Sequence, residues 1–184
     1  GTEVRHQFID IKKSLPFTLL AINVDSGSEF LNTPMIQFTT MPGEKPITFT
    51  RSRPYKKNDN CYVEQKNYTH VRELFGYERF DDPPLVSLMN DIYKICWNPL
   101  QNFFIPTFKL KEKIRVGSKI IKKFDKPQTP YDRLMKSSHL SELQKQRLKD
   151  MKSKLNPFGL KQLLEQKLKL FFEELRKSKY REAA

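Results

Sequence analysis

A chain of 184 residues with 38% hydrophobic content and 14 phenylalanines can bury a core, which excludes global disorder. There is no long uncharged apolar run, which excludes a transmembrane helix, and Cys61 and Cys96 lie far apart without CxxC spacing, which excludes a zinc site or disulfide framework. The formal net charge is +13, yet residues 1–100 hold 12 basic and 12 acidic residues, so the whole excess lies in residues 101–184, a distribution that suits a polyanionic partner or a solvated lysine-rich surface equally well.

Val4, Phe8, Ile11 and Leu15 recur at helical spacing, and Pro16 stops that helix. Thr18 to Val24 is a near-continuous apolar run, the pattern of a strand buried on both faces. The run ends on DSGSEFLN, Asp25 to Asn32. A short helix is expected between Ser28 and Thr40, and the alternating ITFTRS, Ile47 to Ser52, reads as a second strand. A loop, RPYKKNDN, leads to a helix from about Cys61 to Phe75, with Asn58 or Asp59 placed to cap it and Gly76 to end it.

A further helix is expected over PPLVSLMNDIYKICW, with Leu85, Leu88, Ile92, Ile95 and Cys96 inward. Residues 99–135 read as irregular and basic, with two forms open for Ile114 to Ile121: a strand of a small barrel-like module, or an extended arm. Ser141 and Gln144 form a capping-box pattern for a helix over about 142–153. Asn156 and Pro157 open a last helix with Leu160, Leu164, Leu168, Phe171 and Leu175 along one stripe. The fold class is thus α/β, in two parts, 1–98 and 99–184.

Asp25 falls where the first strand ends, and Glu64 falls in the first turn of the helix after the second. Ligand sites in open parallel sheets gather at the carboxyl ends of strands. Two carboxylates there suit Mg²⁺ or Mn²⁺, a hard cation that takes few protein oxygens and leaves room for water and phosphate. Taken singly, Asp25 also reads as a turn residue and Glu64 as a helix-surface acid. His6, His70 and His139 lack metal-ligand spacing, and no serine or cysteine nucleophile has a visible base.

DSGSEFLN resembles the D-N-G-S-E-F motif of DDE transposases and retroviral-type integrases. TRSRPYKKNDNCYVEQKN resembles the segment that bears the final glutamate of that superfamily, and 38 residues separate Asp25 from Glu64. RELFGYERFDD, NFFIPTFKLKEKIRVGSK and KKFDKPQTPYDRL resemble the tail of bacterial insertion-sequence transposases. The resemblance implies a partial ribonuclease-H-like fold, its last two strands and following helices, and then a basic, mainly helical carboxyl-terminal region. It implies Asp25 and Glu64 as the second and third acids of a catalytic triad, both holding Mg²⁺ or Mn²⁺. Gly27 matches the sharp exit from the strand, and Ser26 stands where asparagine is usual.

The same resemblance implies double-stranded DNA as partner, a homo-oligomer, and a bacterial cytoplasmic location. Arg51, Arg53, Lys56, Lys57 and Lys66 would contact DNA near the acids. The basic stretch 109–128 carries eight cations against two acids, and Lys109, Lys111, Lys113, Arg115, Lys119, Lys122 and Lys123 would contact DNA there. The first acid of the triad has no counterpart: only Asp10 precedes Asp25, in the first helix. The first strands of the family's sheet are likewise missing, and the chain reads as a fragment or processed product. A two-stranded remnant leaves an open edge, so self-association and loss of catalysis are expected of the chain alone. The functional expectation is part of a transposase that cuts and joins DNA by metal-assisted phosphoryl transfer. A non-catalytic DNA-binding remnant and a basic RNA-binding module stay open beside it.

Overall fold

In a computed structural model, which describes every residue except Arg79, Asp81, Ala183 and Ala184, and every side chain except those and Lys57, Tyr180, Arg181 and Glu182, the first helix, α1 (Thr2–Ser14), ends just before Pro16. The chain forms two compact units, Gly1–Tyr77 and Glu78–Ala184. The boundary lies upstream of the expected division after residue 98. The helix at Pro83–Ile92 packs on the last helix of the chain, which places it in the second unit. Among the described residues no helix is long and apolar enough to cross a membrane.

In the first unit, β1 (Ala21–Val24) and β2 (Thr48–Arg51) pair in parallel, with Ala21 opposite Thr48 and Val24 opposite Arg51. The sheet has these two strands. Between them runs α2 (Thr33–Thr39), opened by Asn32, whose side chain accepts from the Met35 N–H, and by Pro34. Pro34 sits in the first turn, where its missing N–H costs nothing. Ile22, Val24, Met35, Phe38 and Ile47 form the buried cluster, with Val4, Phe8 and Ile9 of α1 packed on it. The α1 stripe therefore passes through Ile9, and Ile11 is exposed. β1 is buried on one face only: Ile22 and Val24 point in, Ala21 and Asn23 point out, and Asn23 Oδ1 accepts from Thr50 Oγ1. An apolar run does not itself state how many layers will cover it, and here one layer does.

A 3₁₀ turn at Lys57–Asn60 leads into α3 (Cys61–Asn67), a π turn at Tyr68–Arg72, and a short α4 (Glu73–Phe75). Gly76, at φ +81°, ends the run as expected. No residue of α3 is buried.

The second unit contains α5 (Pro83–Ile92), a π turn at Tyr93–Trp97, α6 (Asn98–Phe103), β3 (Leu110–Val116), β4 (Lys119–Phe124), α7 (Pro130–Met135), α8 (Glu142–Ser153) and α9 (Pro157–Glu182). Leu85, Ile92 and Cys96 are buried while Ile95 is exposed. The wider π turn places the inward position beyond Ile92 at Cys96 and turns Ile95 out. Leu160, Leu164, Phe171 and Leu175 of α9 are buried. Lys167 pairs with Asp91, Ser178 Oγ donates to Asp82 Oδ2 at 2.9 Å, and Lys179 pairs with Glu78 at 2.9 Å, so polar contacts hold α9 to α5 and its approach. The Ser141–Gln144 capping box forms as expected, and Asn156 Oδ1 accepts from the Phe158 N–H at the start of α9.

Residues 99–135 are ordered into α6, an antiparallel hairpin and α7, in place of the irregular stretch that their composition suggests. The hairpin forms neither a barrel-like module nor a loose arm: among the described residues β3 and β4 make a two-stranded sheet of their own. Gly117, at φ +61°, makes the tight connection to β4. At its base Asp125 accepts from the Lys109 N–H at 2.6 Å and from Arg133 of α7, while Arg133 Nη2 donates to Thr107 O at 2.7 Å.

Candidate functional site

Asp25 follows β1 and is exposed. Its Oδ1 accepts from the Gly27 N–H at 2.9 Å, closing an Asx turn that carries the chain off the sheet. Gly27 does not use a left-handed conformation; the positive-φ glycines are Gly43, Gly76 and Gly117. The sharp exit comes instead from this aspartate turn. An added Cβ at Gly27 would meet the Glu29 carboxylate, a flexible end that can move aside.

Ser52, one residue beyond β2, is buried and makes three contacts. Its N–H donates to Val24 O at 2.8 Å, its carbonyl accepts from Ser26 Oγ at 3.3 Å, and its Oγ donates to Asn60 Oδ1 at 2.5 Å. Ser26 is the neighbour of Asp25. Asn60 immediately precedes α3, and Glu64 lies four residues on, the spacing that puts two side chains on one helix face. Both acids are thus referred to one buried serine at the carboxyl edge of the parallel pair. Sequence reasoning missed Ser52; a small polar residue ending a strand carries no periodic signal.

Two carboxylates fit the sparse protein donor set of Mg²⁺, which water and phosphate oxygens complete. Among the described residues no three His, Cys, Asp or Glu side chains are grouped as a metal site. Asp10 lies on α1, is exposed, and joins no such group.

The loop between Ser52 and Asn60 has its own clamp. Arg53 donates from its backbone N–H and Nε to Asp59 Oδ2, at 3.0 and 2.9 Å, and from Nη2 to Asp59 Oδ1 at 2.9 Å. The Arg53 guanidinium and backbone N–H hold the Asp59 carboxyl well below the usual carboxylate range, and Asp59 raises Arg53 in return. Asp59 therefore fastens the loop and does not cap the helix. Arg53, expected at DNA phosphates, is engaged within its own chain. Tyr55, at φ 59°, stands fully exposed in this loop.

Arg51, Lys56 and Lys66 are exposed. The side chain of Lys57 lies outside the described residues. Lys66 Nζ donates to His70 Nε2 at 3.4 Å, and burial, with Lys66 beside it, lowers the His70 pKa. Lys109, Lys111, Lys113, Arg115, Lys119, Lys122 and Lys123 belong to the hairpin and its base, in the second unit, and all are exposed. Lys123 pairs with Glu112 at 3.1 Å.

No protein-family model matches the chain. No solved structure matches it. It is similar to the uncharacterized protein y4rM of Sinorhizobium fredii (strain NBRC 101917 / NGR234), 36% identical over 118 residues, or 64% of this chain. The match covers 33% of that protein, so it spans about a third of the relative's length.

Proposed function

We propose that the chain is part of a DDE-type transposase or integrase that binds double-stranded DNA and works on its phosphodiester backbone. The observation that carries this reading is the shared anchoring of the Asp25 turn and the Glu64 helix on buried Ser52, at the carboxyl edge of a parallel pair. Asp25 and Glu64 are the residues that would hold Mg²⁺ or Mn²⁺. When bound, such an ion activates the attacking oxygen and steadies the leaving one in phosphoryl transfer. Ser52 keeps the two donors in register. Arg51 and Lys56, exposed beside them, bind and orient the phosphate backbone electrostatically.

A second reading, DNA binding without chemistry, is favoured by the lack of a three-ligand group among the described residues. One experiment separates the two. Mn²⁺ is titrated into the chain by electron paramagnetic resonance, and DNA binding is followed in parallel. The transposase reading expects saturable Mn²⁺ binding, lost in both Asp25→Asn and Glu64→Gln, with DNA binding kept. Mn²⁺ binding that ignores both substitutions refutes the proposed site. DNA binding without any saturable Mn²⁺ uptake supports the second reading.

A further inference from the structure

The pairing register sorts the hairpin cations into two groups. Lys113 lies opposite Lys122, Ile114 opposite Ile121, Arg115 opposite Ile120 and Val116 opposite Lys119. Cross-strand partners share a face, and successive residues alternate between faces. One face therefore carries Lys113, Arg115 and Lys122 with Ile120, and the Leu110–Phe124 pair at the hairpin base. The other carries Ile114, Val116 and Ile121, with Lys119 and the ion-paired Glu112 and Lys123.

The first face is electrostatically unsatisfied. Like charges placed directly opposite destabilise a ladder, and Lys113 and Lys122 are so placed. Arg115 follows two residues after Lys113, about 7 Å along the strand. Its Nε donates to Gly117 O at 3.2 Å, which ties it to the turn. Glu112, the sole acid within the two strands, belongs to the opposite face. Among the described residues of the two strands no acid shares this face, so an external anion would relieve the repulsion.

We propose that the Lys113, Arg115 and Lys122 face of the hairpin is a contact surface for the phosphate backbone of duplex DNA, and that Lys119 and Lys123 do not share in it. This inference rests on the DNA-binding reading above and narrows it to one side of one ribbon. Duplex DNA is favoured over a single strand because the one aromatic ring on this face, Phe124 at the hairpin base, sits edge-to-face on Phe108 at 6.4 Å, and no aromatic lies among the three cations to make a run of stacking platforms. It is favoured over duplex RNA because the major groove of B-form DNA, about 12 Å wide, admits a two-stranded ribbon. The A-form groove is too narrow.

The test measures binding of the full chain to a fluorescently labelled DNA duplex of arbitrary sequence over a range of salt. Lys113→Gln/Lys122→Gln and Lys119→Gln/Lys123→Gln each remove two positive charges, so bulk charge is matched. Far-UV circular dichroism and thermal unfolding confirm that both variants keep the fold. Losing two phosphate contacts makes the slope of log affinity against log salt shallower by about 1.8. That corresponds to about 12-fold less affinity lost between about 50 and 200 mM salt. The first variant is expected to show this change and the second to keep the wild-type slope. Equal changes in both variants, or none in either, overturn the face assignment while leaving DNA binding intact. A wild-type chain that does not bind duplex DNA overturns the DNA reading and this inference together. Tighter binding to an RNA duplex of the same sequence overturns the choice of DNA.

Discussion

Ser52→Ala tests the link that holds the candidate site. α3 has seven residues and none is buried, so it draws little stability from packing and little from its length. Its amino-terminal tether is the bond from Ser52 Oγ to Asn60 Oδ1. Removing the hydroxyl loses about 0.5–1.5 kcal/mol of net hydrogen bonding. It also leaves Asn60 Oδ1 half-buried without that donor, which adds part of the roughly 1–3 kcal/mol cost of an unpaired acceptor. A total of about 1–2 kcal/mol follows, and it should fall mainly on α3. Hydrogen exchange is the suitable assay: amides of Cys61–Asn67 should exchange about 5–30 times faster. Amides in β1 and β2 should change less, because the Ser52 N–H to Val24 O bond survives the substitution. A double-mutant cycle with Asn60→Ala isolates the contact. A coupling below about 0.3 kcal/mol, or unchanged exchange in α3, refutes the view that Ser52 positions the Glu64 helix.

Three further outcomes are expected. Arg133, followed by the Lys109 N–H, holds the Asp125 carboxyl down at about 2 against an ordinary 3.8. Asp125 thus stabilises the hairpin base fully above pH 3.8 and loses that contribution as pH falls towards 2, so acid unfolding followed by circular dichroism should show a low-pH component that Asp125→Asn lacks. Gly117→Ala places a side chain at φ +61°, at a cost of about 1–2 kcal/mol. Faster amide exchange confined to 110–124, with helical content unchanged, is the expected result, and unchanged exchange there counts against the turn. Cys61 is exposed, whereas burial pushes the Cys96 thiol up, so a thiol reagent should show one fast cysteine that Cys61→Ser removes.

Some features were legible because their causes are local. The Ser141–Gln144 box, the Asn156–Pro157 start and Gly76 act through hydrogen bonds or dihedral limits within a few residues, and each appears where the sequence places it. The parallel pairing of the two early strands follows from apolar runs separated by a connecting helix. What was hidden depends on partners distant in sequence. The run from Thr18 to Val24 cannot tell how many of its faces will be covered. The hairpin was obscured because cations interrupt its alternation, although Gly117–Ser118 between two β-branched runs is a hairpin signal. At the site, Asp25 and Glu64 stand out by residue type. Ser52 and the Arg53–Asp59 clamp emerge only once the loop has closed on itself.

The π turn at Tyr68–Arg72 has a consequence for the helix that bears Glu64. A π turn accommodates one residue more than an α-helical turn, and in an α-helix each residue advances the azimuth by about 100°. The segment therefore takes up one residue of the run between Glu64 and the fully buried Phe75, and the two keep close to the relative direction of a regular helix one residue shorter. A single-residue deletion within 68–72 that restored regular winding would leave the carboxylate nearly in phase with Phe75, whereas a deletion that kept the π turn would swing it by roughly 100°.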